Sequence, residues 1–566
     1  MATMSAGQAI VQVLKAEGVK AVFGIPGGHT LPIYDALYDT PEIRHILVRH
    51  EQVAASMAAG YAQLTGEPGI CCATAGPGAT NLVSGIAEAF VGALPIIILA
   101  GRGATATTHR GASQEIAQTE LFRPITKWAV RIDRADLIVD CLRQAFTIAR
   151  AGKPGPVLLD IPRDILAQQV HLDSYTPVGP PPRTRANPDV LRAASKALLS
   201  AKNPLIVAGG GAIASGAAGE VRQLAEALGA PVITTLAGRG SLADDHPLAA
   251  GGIGHHRTWL TAKLLPEADV VLGLGARFEE QETNWRPTFV PDAGACYVQV
   301  DIDPAEIGRS LVPRIGIVGD VKLVLQDLLE LIAGAAGPQT KAAARARLQA
   351  LERDKKKLEA EVRRMAASSQ RPLHPLRILS EVRAAFPRET TVAIDVGVLA
   401  QGMGGAFPYF KVYEPRTLIV PSSFYGMGFS GSALPVAKLV YPHRPAVGFI
   451  GDGSFQMIMN VLPTAAECAL PVTWCVLNDQ ALGSIWDGQR AQFGNRTIAT
   501  TFAVQPDFAT IARACQCHGE KVEDPAEIRP ALERAREANA QGKPAVLDFI
   551  VAKERVSGSV EFFAKR

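Results

Sequence analysis

Residues 446–484 read AVGFIGDGSFQMIMNVLPTAAECALPVTWCVLNDQALGS. Two apolar runs, 446–450 and 472–477, have the length and density of strands buried on both faces. The first ends in Gly451-Asp452-Gly453 and the second in Asn478-Asp479. Between them the apolar spacing predicts one helix over 455–469. Such a unit crosses over right-handedly between parallel strands. Asp452 and Asn478 are therefore expected at the carboxyl ends of neighbouring strands, where open α/β sheets bind ligands.

The chemistry at these ends suits a metal-bridged diphosphate. Glycine lets backbone approach phosphate closely, and a helix N-terminus favours its negative charge. A carboxylate and an amide oxygen are hard ligands for Mg2+, which takes its remaining ligands from phosphate and water. A Gly-Asp-Gly turn alone is as readily structural. Followed one crossover later by Asn-Asp, it resembles the motif of the thiamine diphosphate-dependent enzymes. The resemblance implies that Asp452 and Asn478 hold the metal by side chain and Gln480 by its backbone carbonyl. It places Gly451, Gly453 and Ser454 against the cofactor.

With 566 residues the chain is expected to form about three domains. Lys and Arg number 57 against 54 Asp and Glu, a net charge of +3 with no basic block, which disfavours nucleic acid and anionic membrane as partners. The longest apolar run, 89–100, is too short to cross a bilayer and contains Pro95. Eight scattered cysteines form no CxxC pattern and no disulfide framework, and the N-terminal segment carries Lys15, Glu17 and Lys20 inside an amphipathic pattern. A cytoplasmic protein is expected.

Outward from the first stretch, residues 1–170 alternate strand and helix patterns, as a doubly wound parallel sheet requires. A strand over 20–24 ends in Ile25-Pro26-Gly27-Gly28, and one over 70–73 ends in the loop 74–81, TAGPGATN. Glu51 follows a short strand and opens a helix of small apolar residues, 52–60. Read locally it is a dipole-complementing charge; its apolar surroundings argue for a buried carboxylate instead. Residues 171–190 carry five prolines and read as a stiff linker. A second doubly wound domain is expected over 190–332, in which Gly209-Gly210-Gly211 fits a nucleotide or close packing equally. The charged segment 341–365 reads as an exposed connecting helix. A third such domain is expected over 373–566, with Asp395-Val396-Gly397, the loop 422–428 and one small-residue helix over 430–440.

The resemblance extends over the whole chain: a pyrimidine-binding, a central and a diphosphate-binding domain. It is strongest to acetohydroxyacid (acetolactate) synthase catalytic subunits, with 2-hydroxyacyl-CoA lyases and oxalyl-CoA decarboxylases as the alternative branch. It implies that Glu51 hydrogen-bonds the aminopyrimidine and activates the cofactor, with Pro26, Gly27, Gly76, Gly397, Gly426 and Met427 around it. Gln114 is implied as a second catalytic residue facing the reaction centre; locally it reads as a solvated loop residue. Substrate contacts are implied for His29, Ser113, Lys127, Arg277 and Trp486. Arg277 can equally be a structural clamp, Met427 a core filler and His29 a solvated turn residue. Ser113 stands where the synthases carry an aromatic residue, Val398-Leu399 where they carry Gln-His, and Gly488 near their acceptor-pocket Trp. The implied substrates are a 2-oxoacid, an aldehyde or an acyl-CoA. The middle domain would take FAD in one branch and the ADP or CoA part in the other. A homodimer or homotetramer with sites between subunits is implied.

Overall fold

The computed structural model describes residues 2–335, 338–397, 399 and 408–553. Three six-stranded parallel sheets, each with helices around it, account for most of the chain. The first runs Arg44–Leu47, Ala21–Gly24, Gly69–Ala73, Ile96–Arg102, Pro156–Pro162, Trp128–Arg131. The middle sheet runs Ala249–Gly252, Val232–Thr234, Pro204–Ala208, Val270–Leu274, Cys296–Asp301, Ile315–Val318. The third runs Leu418–Ile419, Thr391–Ile394, Ala446–Gly451, Thr473–Asn478, Ala545–Ile550, His518–Val522. The first and third share one winding order, whereas the middle sheet starts from a central strand and winds outward in both directions. All eight cysteines are free. Among the described residues no helix is long and apolar enough to cross a membrane.

In the first and third sheets the winding reverses between the first strand and the third. Those two positions are where an α/β sheet opens a crevice at its carboxyl edge. In the first sheet the crevice lies between Ala21–Gly24 and Gly69–Ala73, above the turns that carry Gly27 and Gly76. In the third it lies between Thr391–Ile394 and Ala446–Gly451, above Gly397 and Asp452.

Several elements differ from the reading of the sequence. The helix expected over 455–469 is two, Asp452–Gln456 and Val461–Glu467. Pro463 has no N–H to give Met459, and its ring crowds that carbonyl, so one continuous helix is barred. Pro435 divides the expected helix over 430–440 in the same way, into Phe429–Ala433 and Val436–Val440. An antiparallel ribbon of Ala2–Ser5 with Gln169–Leu172 ties the chain start to the end of the first domain. The proline-rich stretch after it is held by Glu17, whose Oε1 accepts from Tyr175 Oη and Val178 N, both at 2.6 Å.

The connecting helix, Pro338–Ala366, is not simply solvated. Leu351, Lys355, Leu358 and Val362 recur at spacings of three and four and are all buried. The Lys355 ammonium donates to His246 O at 2.7 Å, and Lys411 from the third domain reaches Glu359 at 2.9 Å. The helix is a strap that joins the middle and third domains.

The first and third domains share one continuous hydrophobic cluster, from Phe23 and Ala58 through Ala433 to Trp474. Its centre is helix Glu51–Thr65, which is buried along most of its length and packs on both Pro77–Val91 and Phe429–Ala433. A Cβ at Gly60 would stand 2.8 Å from Ala433 Cβ. Gly60→Leu is expected to lower the thermal midpoint by several degrees, from about 1–3 kcal/mol of overpacking; calorimetry showing an unchanged midpoint would rule out a tight joint there.

Candidate active site at the strand ends

The third sheet sets the polar ends. Ala446–Gly451 and Thr473–Asn478 pair in register, with Gly451 opposite Leu477, so Asp452 and Asn478 leave the sheet side by side. Both are buried, Asp452 at 1% and Asn478 at 2% exposure. Asn478 spends its Nδ2 on Asp548 Oδ1 at 3.0 Å, which turns its Oδ1 toward Asp452. One side-chain donor bridges the two oxygens. Gln505 Nε2 lies 2.8 Å from Asp452 Oδ2 and 2.9 Å from Asn478 Oδ1. Burial, and then the charge of Asp479, push the Asp452 carboxyl up to about 7. A cation between these oxygens would relieve both effects, so the donor set fits a hard divalent metal.

Gln480 has the left-handed backbone, φ 55°. Its N–H points at Asn478 Oδ1, 3.3 Å away, and its carbonyl accepts from Phe502 N at 3.0 Å. A metal there would use the second lone pair of that carbonyl. A Cβ on Gly451 or Gly397 would meet nothing within 4 Å, whereas one on Gly453 would stand 2.8 Å from Leu482 Cδ2. Among the described residues nothing packs where a side chain on the two former glycines would stand, and the third is a packing contact.

Three carboxylates around these turns escaped the reading of the sequence. Asp395 is fully buried; its Oδ1 accepts from Val396 N at 3.0 Å and Gly428 N at 2.9 Å, and its Oδ2 from Gly431 N at 3.1 Å. A Ser454 hydrogen bond also reaches it, yet burial still lifts its carboxyl to about 6. Asp395 thus joins the Gly397 turn, the Met427 loop and the Gly-Asp-Gly helix. Glu88 reaches across from the first domain to Ser422 N and, at 3.0 Å, to Gly426 N. Its carboxyl is raised by burial. Asp548, the third, orients Asn478. Each is a lone acid in an apolar run or at a strand end, a pattern that ordinary structural carboxylates share.

The first domain builds a wall of its own. Helix Glu51–Thr65 begins at Glu51, which is 7% exposed, and Glu51 Oε2 accepts from Asn81 Nδ2 at 2.8 Å. A Cβ on Gly78 would lie 3.3 Å from Glu51 Oε1 and 2.8 Å from Thr74 Cγ2. On its other side Thr74 occupies the place of a Gly27 Cβ and meets His29 Nδ1 at 3.0 Å. Glu51, Gly27, His29 and the loop of Gly76 therefore share one wall. His29 is buried, not a solvated turn residue, and its imidazole is held low by that burial and by Arg163. Gly76 has φ 61° and packs directly on the backbone of Gln114. Ser113, Gln114 and Pro26 are exposed, and Met427 is half-buried.

Other expected positions do not join these walls. Lys127 caps the helix Ile138–Arg150, its ammonium donating to Ile148 O at 2.5 Å and Ala151 O at 2.6 Å. Arg277 donates to Val91 O at 2.9 Å and pairs with Glu279 at 3.4 Å, clamping the middle domain to the first. Trp486 is covered by Arg490, whose Cζ lies 4.4 Å from the indole ring centroid. In the middle domain, Cβ atoms on Gly209 and Gly211 would come within 2.1 Å and 2.7 Å of Gly275 backbone, so close packing explains both glycines. Val398 lies outside the described residues.

Asp395→Asn is expected to lower the thermal midpoint by several degrees. Whichever way the amide turns, its NH2 faces a backbone N–H, at about 1–3 kcal/mol. Thermal melts that superimpose on those of the parent protein would remove Asp395 as the organiser of these turns.

Comparison with known proteins shows the family. The N-terminal binding domain of thiamine pyrophosphate enzymes matches residues 4–121, their central domain 191–328 and their C-terminal binding domain 401–549. The chain is 37% identical to a probable acetolactate synthase large subunit of Methanocaldococcus jannaschii, covering 97% of this chain and 92% of that one. It is 34% identical to an acetolactate synthase of Mycobacterium bovis, over 97% and 88%. It is 32% identical to the isozyme 3 large subunit of acetolactate synthase from Escherichia coli, over 97% and 95%. With its three domains in the same order and two cofactor-type crevices at matching strand ends, the chain belongs to the acetolactate synthase large-subunit family of thiamine pyrophosphate enzymes.

Proposed function

We propose that the chain binds thiamine diphosphate through Mg2+, decarboxylates a 2-oxoacid and joins the resulting unit to a second carbonyl compound, as an acetolactate synthase does. One observation carries the site assignment: two buried oxygens, on Asp452 and Asn478, converge at the end of paired strands, bridged by one side-chain amide. The alternative acyl-CoA branch gains no support from the relatives, which are named as acetolactate synthases.

When bound, the cofactor supplies a carbon nucleophile and an electron sink. The chain's residues supply the rest. Asp452, Asn478 and the carbonyl of Gln480 hold the metal. Gly451, Gly397 and Ser454 line the diphosphate, and Pro26, Gly27, Gly76, Gly426 and Met427 enclose the ring end. Glu51 holds and moves a proton at its Oε atoms, away from bulk water and oriented by Asn81. His29, Ser113 and Gln114 are assigned to the substrate side; Lys127 and Arg277 are assigned to the frame. FAD is the occupant the family resemblance favours in the middle domain.

An assembly of at least two copies in the cytoplasm completes the reading, with one copy's Glu51 facing the partner's metal site. Apolar side chains on the segments after the metal-site strands support it: Met457, Ile485, Phe493, Ile498 and Val504 are 54–87% exposed.

Incubation with pyruvate, thiamine diphosphate and Mg2+ is expected to yield acetolactate. Product from formyl-CoA and an aldehyde, with none from pyruvate, would move the chain to the other branch. Glu51→Gln should lose at least about a hundredfold in kcat, the usual scale of general acid–base help, while binding the cofactor as before. Full turnover in that variant would take Glu51 out of the mechanism.

A further inference from the structure

Gln505 holds a position that the reading above leaves unexplained. As a carboxylate Asp452 only accepts, and Asn478 Oδ1 is an acceptor turned inward by the Nδ2 donation to Asp548. Whatever stands between their inward oxygens must be a donor or a cation. Gln505 fills that position with its Nε2, at 2.8 and 2.9 Å. Its Oε1 accepts in turn from Gln456 Nε2 at 3.2 Å, so the side chain bridges from the loop to the end of helix Asp452–Gln456.

The backbone around Gln505 is anchored on both sides and free between. Upstream, Ala481 bridges Thr501, and Phe502 N donates to Gln480 O at 3.0 Å. Downstream, Asp507 caps helix Phe508–Ala514 through Thr510 N at 2.8 Å. Residues 503–506 form a short irregular span between these anchors, with Ala503 and Val504 exposed and Gln505 and Pro506 half-buried. Gln505 can leave the two oxygens by rotating its side chain or shifting this span, with both anchors intact.

We propose that Gln505 is a tethered substitute for the metal: it satisfies Asp452 and Asn478 in the cofactor-free chain and has to be expelled before Mg2+ and thiamine diphosphate can enter. This rests on the metal-site reading above. It follows that the two oxygens are kept ordered before cofactor binding at the expense of affinity, because only the fraction of chains with Gln505 withdrawn is competent to bind.

The test is titration calorimetry of cofactor-free protein with thiamine diphosphate at saturating Mg2+, on the parent chain, Gln505→Ala, Gln505→Met and Asp452→Asn. Gln505→Met keeps the bulk without the donor and stands in if the alanine variant does not fold. Both Gln505 variants should bind on the order of tenfold more tightly than the parent. They should also melt at a lower temperature without cofactor and gain more from adding it. Affinity equal to or weaker than the parent's in the Gln505 variants overturns the substitution, with the metal site standing if Asp452→Asn binds worse. A parent chain that binds no cofactor, or an Asp452→Asn chain that binds equally well, overturns the metal site and this inference with it.

Discussion

The parallel pairing of Ala446–Gly451 with Thr473–Asn478 is the constraint on which the rest depends. Its register brings Gly451 opposite Leu477. The next residue on each strand therefore emerges at the same height, as a carboxylate on one and an amide on the other. A shift of one residue would turn either side chain to the opposite face of the sheet. The apolar runs before them fix the register, because every residue of both strands up to Gly451 and Asn478 is buried. Core packing, not any contact at the site, holds the two oxygens together.

Around this pair the site is organised by acids whose charge is unfavourable where they stand. Asp395 gathers three backbone N–H groups, Glu88 reaches across a domain boundary and Asp548 turns an amide. Burial raises all three carboxyls above their ordinary range. Each is retained in spite of its desolvation because it fixes a turn that apolar packing alone would leave free. The Met427 loop is thereby tied both to its own sheet and to helix Pro77–Val91 of the first domain, and the two halves of the chain act as one frame.

The sequence made the strands and their polar ends legible because buried parallel strands are dense apolar runs and their ends are abrupt. Gly451-Asp452-Gly453 and Asn478 could be read as one site since a single crossover separates them. Gln505 could not, because a lone glutamine in an irregular loop carries no periodic signal and reaches the site only through tertiary folding. Helix breaks at Pro463 and Pro435 were legible in principle, and the apolar spacing around them masked a rule that proline enforces locally. The ribbon of Ala2–Ser5 was missed because four residues are too few to show alternation.

The strap helix Pro338–Ala366 has a consequence for how this chain can vary. Leu351, Lys355, Leu358 and Val362 face inward only because they keep the helical repeat. Adding one residue ahead of them would rotate the downstream stripe by about 100° about the axis. Lys355 would then turn away from His246 and the leucines into water. Homologous chains should tolerate wide changes of side chain on the outer face of this helix, while changes of its length should survive only in steps close to whole turns.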